Sequence, residues 1–337
     1  MIRTMLRTRV VNRILCQRRP FATSYGLLAA QPTPPKETPA QPVADAPAEN
    51  RPLADVPRAY GKRVEEFTPT TLSRPIGFHQ APRPGENTGV DRRSLQQRRD
   101  DFVNYEKHLA RRAELKQKLA KPYFREWSNI KWHKGKSFLA PPRLFKAALS
   151  LYFPNLHGRT LAKGDRRPQD TTPVLEGRAS VVAVFSGMWA ENQIKSFISP
   201  EANPGLQAVL DQSGGLAQLV RVNVEENTLK AWIIRLFVGS LRKQIGKPNW
   251  NRYFIVRRGI SDEIRETIGL LNSKVGYVYL VDKDCRIRWA ASGQSEPDER
   301  QGLVKGVQRL LDEMSKAGTR PGTLLRKPAE PAASLGP

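Results

Sequence analysis

Nucleophilic chemistry in this chain would fall to Cys16 and Cys285, its only cysteines. Cys285 sits in the run Asp282-Lys283-Asp284-Cys285-Arg286, where two aspartates disfavour a thiolate and argue for an ordinary thiol. Gly135-Lys136-Ser137 looks like the end of a phosphate-binding loop, but Ile130 stands where that loop needs its first glycine. No strand precedes it either, so the cradle of backbone amides is missing. His133 and His157 have no cysteine or carboxylate at ligand spacing, which argues against zinc. Trp127, Trp132, Phe138 and Tyr152 lie among lysines and have the chemistry to stack bases, yet aromatics beside a folded domain more often pack onto it. No catalytic, cofactor-binding or metal-ligating set is expected.

The elements that would position such residues are legible in the second half of the chain. Ser180 to Ser186 is an apolar, β-branched run of strand length, followed by a helix from Met188 to Ile198. A second strand, Gln218 to Val224, leads into Thr228 to Gln244, where Leu229, Trp232, Ile233, Leu236, Phe237 and Leu241 recur at helical spacing. Basic residues flank that stripe, and a sheet needing cover favours core packing over a membrane surface. Tyr253 to Val256 is a third strand, followed by a helix from Asp262 to Leu271. Tyr277 to Val281 and Arg286 to Ala290 form a hairpin through an aspartate-led turn. A last helix, Asp298 to Met314, closes the domain, with Leu303, Val307, Leu310 and Leu311 on one side.

Two strand-helix units, a third strand and helix, a hairpin and a closing helix make the order of an α/β, thioredoxin-like domain over residues 173–316, and the hairpin resembles that of peroxiredoxin-type proteins. Redox cysteines would sit where the first strand meets its helix, but Ser186-Gly187-Met188-Trp189-Ala190-Glu191-Asn192 has none. Without a thiolate there is no nucleophile for disulfide or peroxide chemistry. Where thioredoxins place a cis-proline, this chain has Lys274-Val275-Gly276.

Upstream the character changes. In residues 1–21 six arginines are interleaved with apolar residues, and no acidic residue appears before Glu37, as a mitochondrial transit peptide requires. Cleavage is expected after Phe21. Residues 22–90 hold few large aliphatics and many of the chain's 27 prolines, which reads as a disordered spacer. Residues 91–121 read as one basic amphipathic helix capped by Asp91, with Leu95, Phe102, Tyr105, Leu109 and Leu119 near one stripe. Its basic faces fit RNA, an acidic protein or anionic headgroups. The formal net charge of +24 favours the same three partners without choosing among them. No stretch reaches the roughly eighteen apolar residues of a membrane span, so a soluble or peripheral chain is expected, with residues 317–337 a disordered tail.

Between helix and domain, residues 122–172 form an aromatic and basic segment. Lys134-Gly135-Lys136, Ala140-Pro141, and above all Leu151-Tyr152-Phe153-Pro154-Asn155-Leu156 with Gly158, Thr160 and Leu161 resemble the mitochondrial ATP synthase assembly factor ten family. With the domain behind it the resemblance spans roughly residues 121–314. It implies a non-catalytic chaperone, peripheral on the matrix side of the inner membrane, that binds newly made subunit a and promotes its joining to the c-ring. The expected contact surface is the basic helix with Trp127, Trp132, Lys134, Lys136, Phe138, Tyr152, Phe153, Pro154 and Asn155. Nucleic acid has no part in this reading. The alternatives are a mitochondrial RNA- or ribosome-associated protein and a thioredoxin-like oxidoreductase using Cys285.

Overall fold

A computed structural model describes residues 53–59, 64–91, 93–119, 124–164, 167–225 and 228–316. The expected leader, its cleavage point, the first part of the spacer and the tail lie outside the described residues.

The apolar run of the first expected strand becomes β3 (Ala179–Phe185), in which every residue is buried. Burial on both faces explains its unbroken hydrophobicity. It pairs in parallel with β4 (Ala217–Val224) and antiparallel with β6 (Tyr277–Val281). β4 pairs in parallel with β5 (Tyr253–Val256), and β6 forms the expected hairpin with β7 (Ile287–Ser292). The short β1 (His157–Thr160) and β2 (Gln169–Asp170) extend the sheet beyond β5, so the seven strands run β2-β1-β5-β4-β3-β6-β7. Three parallel strands followed by an antiparallel hairpin, with a helix leaving β3, the middle of the five strands β5-β4-β3-β6-β7, is the thioredoxin-like arrangement.

Alternation along the strands divides the core in two. Val181, Ala183 and Phe185 face α5 (Gly187–Ile198), α6 (Pro204–Gln212) and α9 (Pro297–Lys316), which contribute Ile194, Phe197, Leu206, Leu303, Val307 and Leu310. The later part of α7 (Thr228–Ile245) joins them through Val238, Leu241 and Ile245. Val182, Val184, Val220 and Val222 face the other way, against α8 (Asp262–Thr267) and a set of irregular segments. α6 was not among the expected helices; Asn203 caps it and Pro204 opens it.

Those irregular segments correct the boundary of the spacer. From Leu53 on, the described residues pack: Leu53, Val56, Leu72 and Ile76 are buried in the same cluster as Phe138, Phe153 and Leu156. Backbone bonds tie them down, Leu72 N to Leu139 O at 3.0 Å and a reciprocal pair between Phe78 and Tyr152 at 2.7 and 2.8 Å. The segment is short of apolar residues because it needs few: widely spaced anchors cover a sheet face that no long helix covers.

The single helix expected over residues 91–121 is two. Ser94, not Asp91, is the N-cap of α1 (Leu95–Val103), in a reciprocal capping box with Gln97. Asn104 is extended (φ −71°, ψ 113°) and ends it. The Asn104 side chain then accepts from Lys107 N at 3.2 Å, which starts α2 (Tyr105–Leu119). Asp91 instead holds Arg93.

Candidate functional site

Open sheets of this kind bind ligands at the carboxyl ends of their parallel strands. Here that end carries a cleft of about 320 Å³ lined by Val184, Phe185 and Ser186 from β3, Val224 and Glu225 from β4, the loop Asn272 to Val275, Tyr277, and Glu126. Glu126 comes from α3 (Arg125–Asn129) in the aromatic and basic segment. Its carboxylate accepts from Ser273 N at 2.9 Å and Ser273 Oγ at 2.6 Å. That contact fastens the segment to the cleft rim. On the floor, Asn272 N donates to the Tyr277 hydroxyl at 3.0 Å and Ser137 Oγ lies 3.1 Å away. Burial pushes the Tyr277 hydroxyl up to about 12.

The joint between β3 and α5 forms one lip of this cleft. Ser186 is the N-cap residue without a side-chain cap bond, and Gly187 follows at φ +80°, a backbone glycine adopts freely. Met188 is 80% exposed and Trp189 is 48% exposed. Gly276 lets the loop opposite come close: a Cβ there would lie 2.5 Å from Ala190 O. Its N–H donates to Gln193 Oε1 at 3.0 Å. Leu236 and Phe237 of α7, expected to pack inward, are instead 61% and 63% exposed.

Cys285 is elsewhere, buried in the hairpin turn at 1% exposure with φ +62°. Its carbonyl accepts from Phe153 N at 2.8 Å. Burial, then the nearby Glu176, Asp282 and Asp284, push its thiol up. The direction agrees with the sequence argument, although burial rather than the aspartates dominates.

The structure divides the nine residues singled out from the sequence. Trp127 is exposed, with Lys274 Nζ 5.8 Å from its ring centre. Trp132 and Tyr152 are half-buried and Lys134 is exposed. The other five correct the expectation, because they hold the fold together and offer no contact surface. Lys136 is buried, its Nζ 2.7 Å from Glu299 Oε2. Phe138 and Phe153 are fully buried, the Phe153 ring packing tilted against Tyr279 with centroids 5.5 Å apart. Pro154 is also buried. Asn155 is a buried hub: Nδ2 donates to Glu86 O and Asp170 Oδ1, both at 2.9 Å. Its Oδ1 accepts from Thr172 N at 3.2 Å and Thr172 Oγ1 at 2.9 Å. His157 meets the same Asp170 oxygen at 2.8 Å, a hydrogen bond that joins β1 to β2. Among the described residues no group of His, Cys, Asp and Glu could hold a metal ion. The exposure of Met188, Leu236 and Phe237 is not legible in the sequence, where Met188 only opens a helix and Leu236 and Phe237 belong to an apolar stripe that reads as core.

The chain is similar in sequence to proteins already described. A protein of Eremothecium gossypii called mitochondrial ATPase complex subunit ATP10 is 33% identical over 242 residues, covering 71% of this chain and 85% of its own length. A protein of the same description from Saccharomyces cerevisiae is 29% identical over 257 residues, covering 73% of this chain and 88% of itself. Among solved structures, a DsbF homologue from Corynebacterium diphtheriae aligns with 13% identity and a TM-score of 0.34, over 49% of this chain and 90% of that protein. The family described as ATP10 protein matches residues 59–310, and the chain belongs to that family.

Proposed function

We propose that this chain is a non-catalytic assembly factor for the membrane sector of mitochondrial ATP synthase. It works as a peripheral protein on the matrix side of the inner membrane, receiving newly made subunit a and promoting its association with the c-ring. The observation that carries this reading is the joint between β3 and α5. Where a thioredoxin-like scaffold would need a thiolate, this chain presents exposed Met188 and Trp189. A flexible, polarizable methionine beside a large aromatic suits adaptable contact with apolar segments of a client. Redox chemistry has no nucleophile there.

Three further observations support it. The relatives in Eremothecium gossypii and Saccharomyces cerevisiae are described as subunits of the mitochondrial ATPase complex. The net charge of +24 suits work beside an anionic leaflet. Among the described residues no helix is long and apolar enough to cross a membrane, in keeping with a peripheral protein. Trp127, Trp132, Lys134 and Tyr152, the accessible members of the aromatic and basic segment, are the contacts we assign to the client together with Met188 and Trp189.

The test is to tag the protein, pulse-label mitochondrial translation products in isolated organelles, and identify the new polypeptide that co-purifies. Subunit a is the expected product. Recovery of ribosomal RNA without subunit a would overturn the reading.

A further inference from the structure

We propose that α1 and α2 form a lipid-binding arm that lies along an anionic bilayer surface. The inference deepens the peripheral-membrane part of the function above and rests on it.

The arm contributes nothing to the core. No residue of α1 is buried, and every described side chain of α2 is exposed. Yet it carries large apolar residues: Leu95, Phe102, Val103 and Tyr105 are all more than 70% exposed. Solvent is a costly place for so many of them in so short a stretch.

Their spacing gives the arm a face. Leu95, Arg98, Arg99, Phe102 and Val103 follow the i, i+3, i+4, i+7, i+8 pattern of one helical side. Gln96, Gln97, Asp100 and Asp101 take the other. In α2, Tyr105, His108, Leu109, Arg112 and Lys116 share a side, and Glu106 points away from it. The break at Asn104 does not interrupt this face, because the Phe102 and His108 rings meet edge-on across it at 6.5 Å.

Charge is sorted the same way. Asp101, on the back, is taken up by Arg93 and Lys107. Among the described residues Arg99, Arg112 and Lys116 have no carboxylate partner. Arg98 is held by Asp91 at 3.4 Å, so the face offers Arg99, Arg112 and Lys116 as cations interleaved with apolar side chains. An RNA backbone would use the cations but gains nothing from Leu95, Val103 or Leu109. A bilayer interface uses both: the apolar groups enter the acyl boundary while the long basic side chains reach back to headgroups.

Flotation of the full chain with vesicles of phosphatidylcholine alone or phosphatidylcholine with cardiolipin tests this, with a single-stranded RNA homopolymer assayed in parallel. One variant combines Leu95→Ser, Phe102→Ser and Tyr105→Ser; a second combines Arg99→Gln, Arg112→Gln and Lys116→Gln. Gln96→Ala on the back is the control. The native chain is expected to float only with the anionic vesicles. The cation variant should bind roughly 100-fold more weakly, at about a kcal/mol per basic residue, and the apolar variant should also lose binding. Both variants should melt like the native chain, since no residue they change is buried. If both variants float as well as the native chain, the arm is not the lipid site although the peripheral reading stands. If the native chain floats with neither vesicle yet still captures subunit a, the arm and the peripheral placement fall and the assembly role survives. Binding to RNA and to no vesicle would overturn the arm and move the function to nucleic acid.

Discussion

Lys136 Nζ lies 2.7 Å from Glu299 Oε2, and both side chains are only 6% exposed, so a buried ion pair joins the aromatic and basic segment to α9. Glu299 is saturated around it, accepting also from Ala140 N and Glu296 N, both at 2.9 Å. Lys136→Met would leave a buried carboxylate without its cation. A loss of about 3 to 5 kcal/mol in denaturant unfolding is expected, whereas Lys134→Ala, on the exposed side, should stay within roughly 0.5 kcal/mol.

Asn155 gives a second stability test. Its side chain ties the segment around Glu86 to β2 and to the start of α4 (Thr172–Leu175) through four hydrogen bonds. Asn155→Ala strands the N–H and the hydroxyl of buried Thr172, each costing about 1 to 3 kcal/mol, and releases Glu86 O and Asp170 Oδ1 at the half-exposed edge. Limited proteolysis should then cut near residues 83–90 in the variant before it cuts the sheet.

The buried tyrosines set an alkaline limit. Burial raises Tyr277 to about 12 and holds Tyr279 well above its ordinary value of 10.0, so the unfolded chain loses these protons first. Their stabilising contribution is full below pH 10 and is lost as pH rises toward the folded values. Stability measured against pH should fall between about pH 10 and 12, and the share of tyrosinate absorbance that belongs to Tyr277 and Tyr279 should appear together with unfolding, after that of exposed tyrosines such as Tyr105.

Cys285 should react with an alkylating reagent only when the chain opens, because its thiol is buried and its pKa raised. Labelling of the native protein should be slow and should accelerate with denaturant in step with unfolding.

The sheet was readable because its strands are continuous apolar runs bounded by turns, and each expected strand of the domain lies within a residue or two of the observed one. α7 illustrates the limit: one apolar pattern holds Leu241, which packs, and Leu236 and Phe237, which do not. Periodicity records hydrophobicity, not what covers it. Residues 53–78 were missed for the opposite reason, since a few anchors such as Leu72 and Ile76 leave no periodic trace. The Tyr-Phe-Pro-Asn run stood out in the sequence, but Phe153 and Asn155 are tied to the fold by packing and hydrogen bonds that link distant parts of the chain. The break at Asn104 was hidden because both halves of the arm keep helical spacing.

The most direct measurement of the central claim compares two variants in organelles lacking the native chain, scored by assembled ATP synthase on native gels. Cys285→Ser should restore assembly fully. Met188→Asp combined with Trp189→Asp should fold normally, its changes being on exposed side chains, yet leave subunit a unassembled. Failure of Cys285→Ser, or full assembly with the double variant, would contradict the proposed client-binding, non-catalytic role.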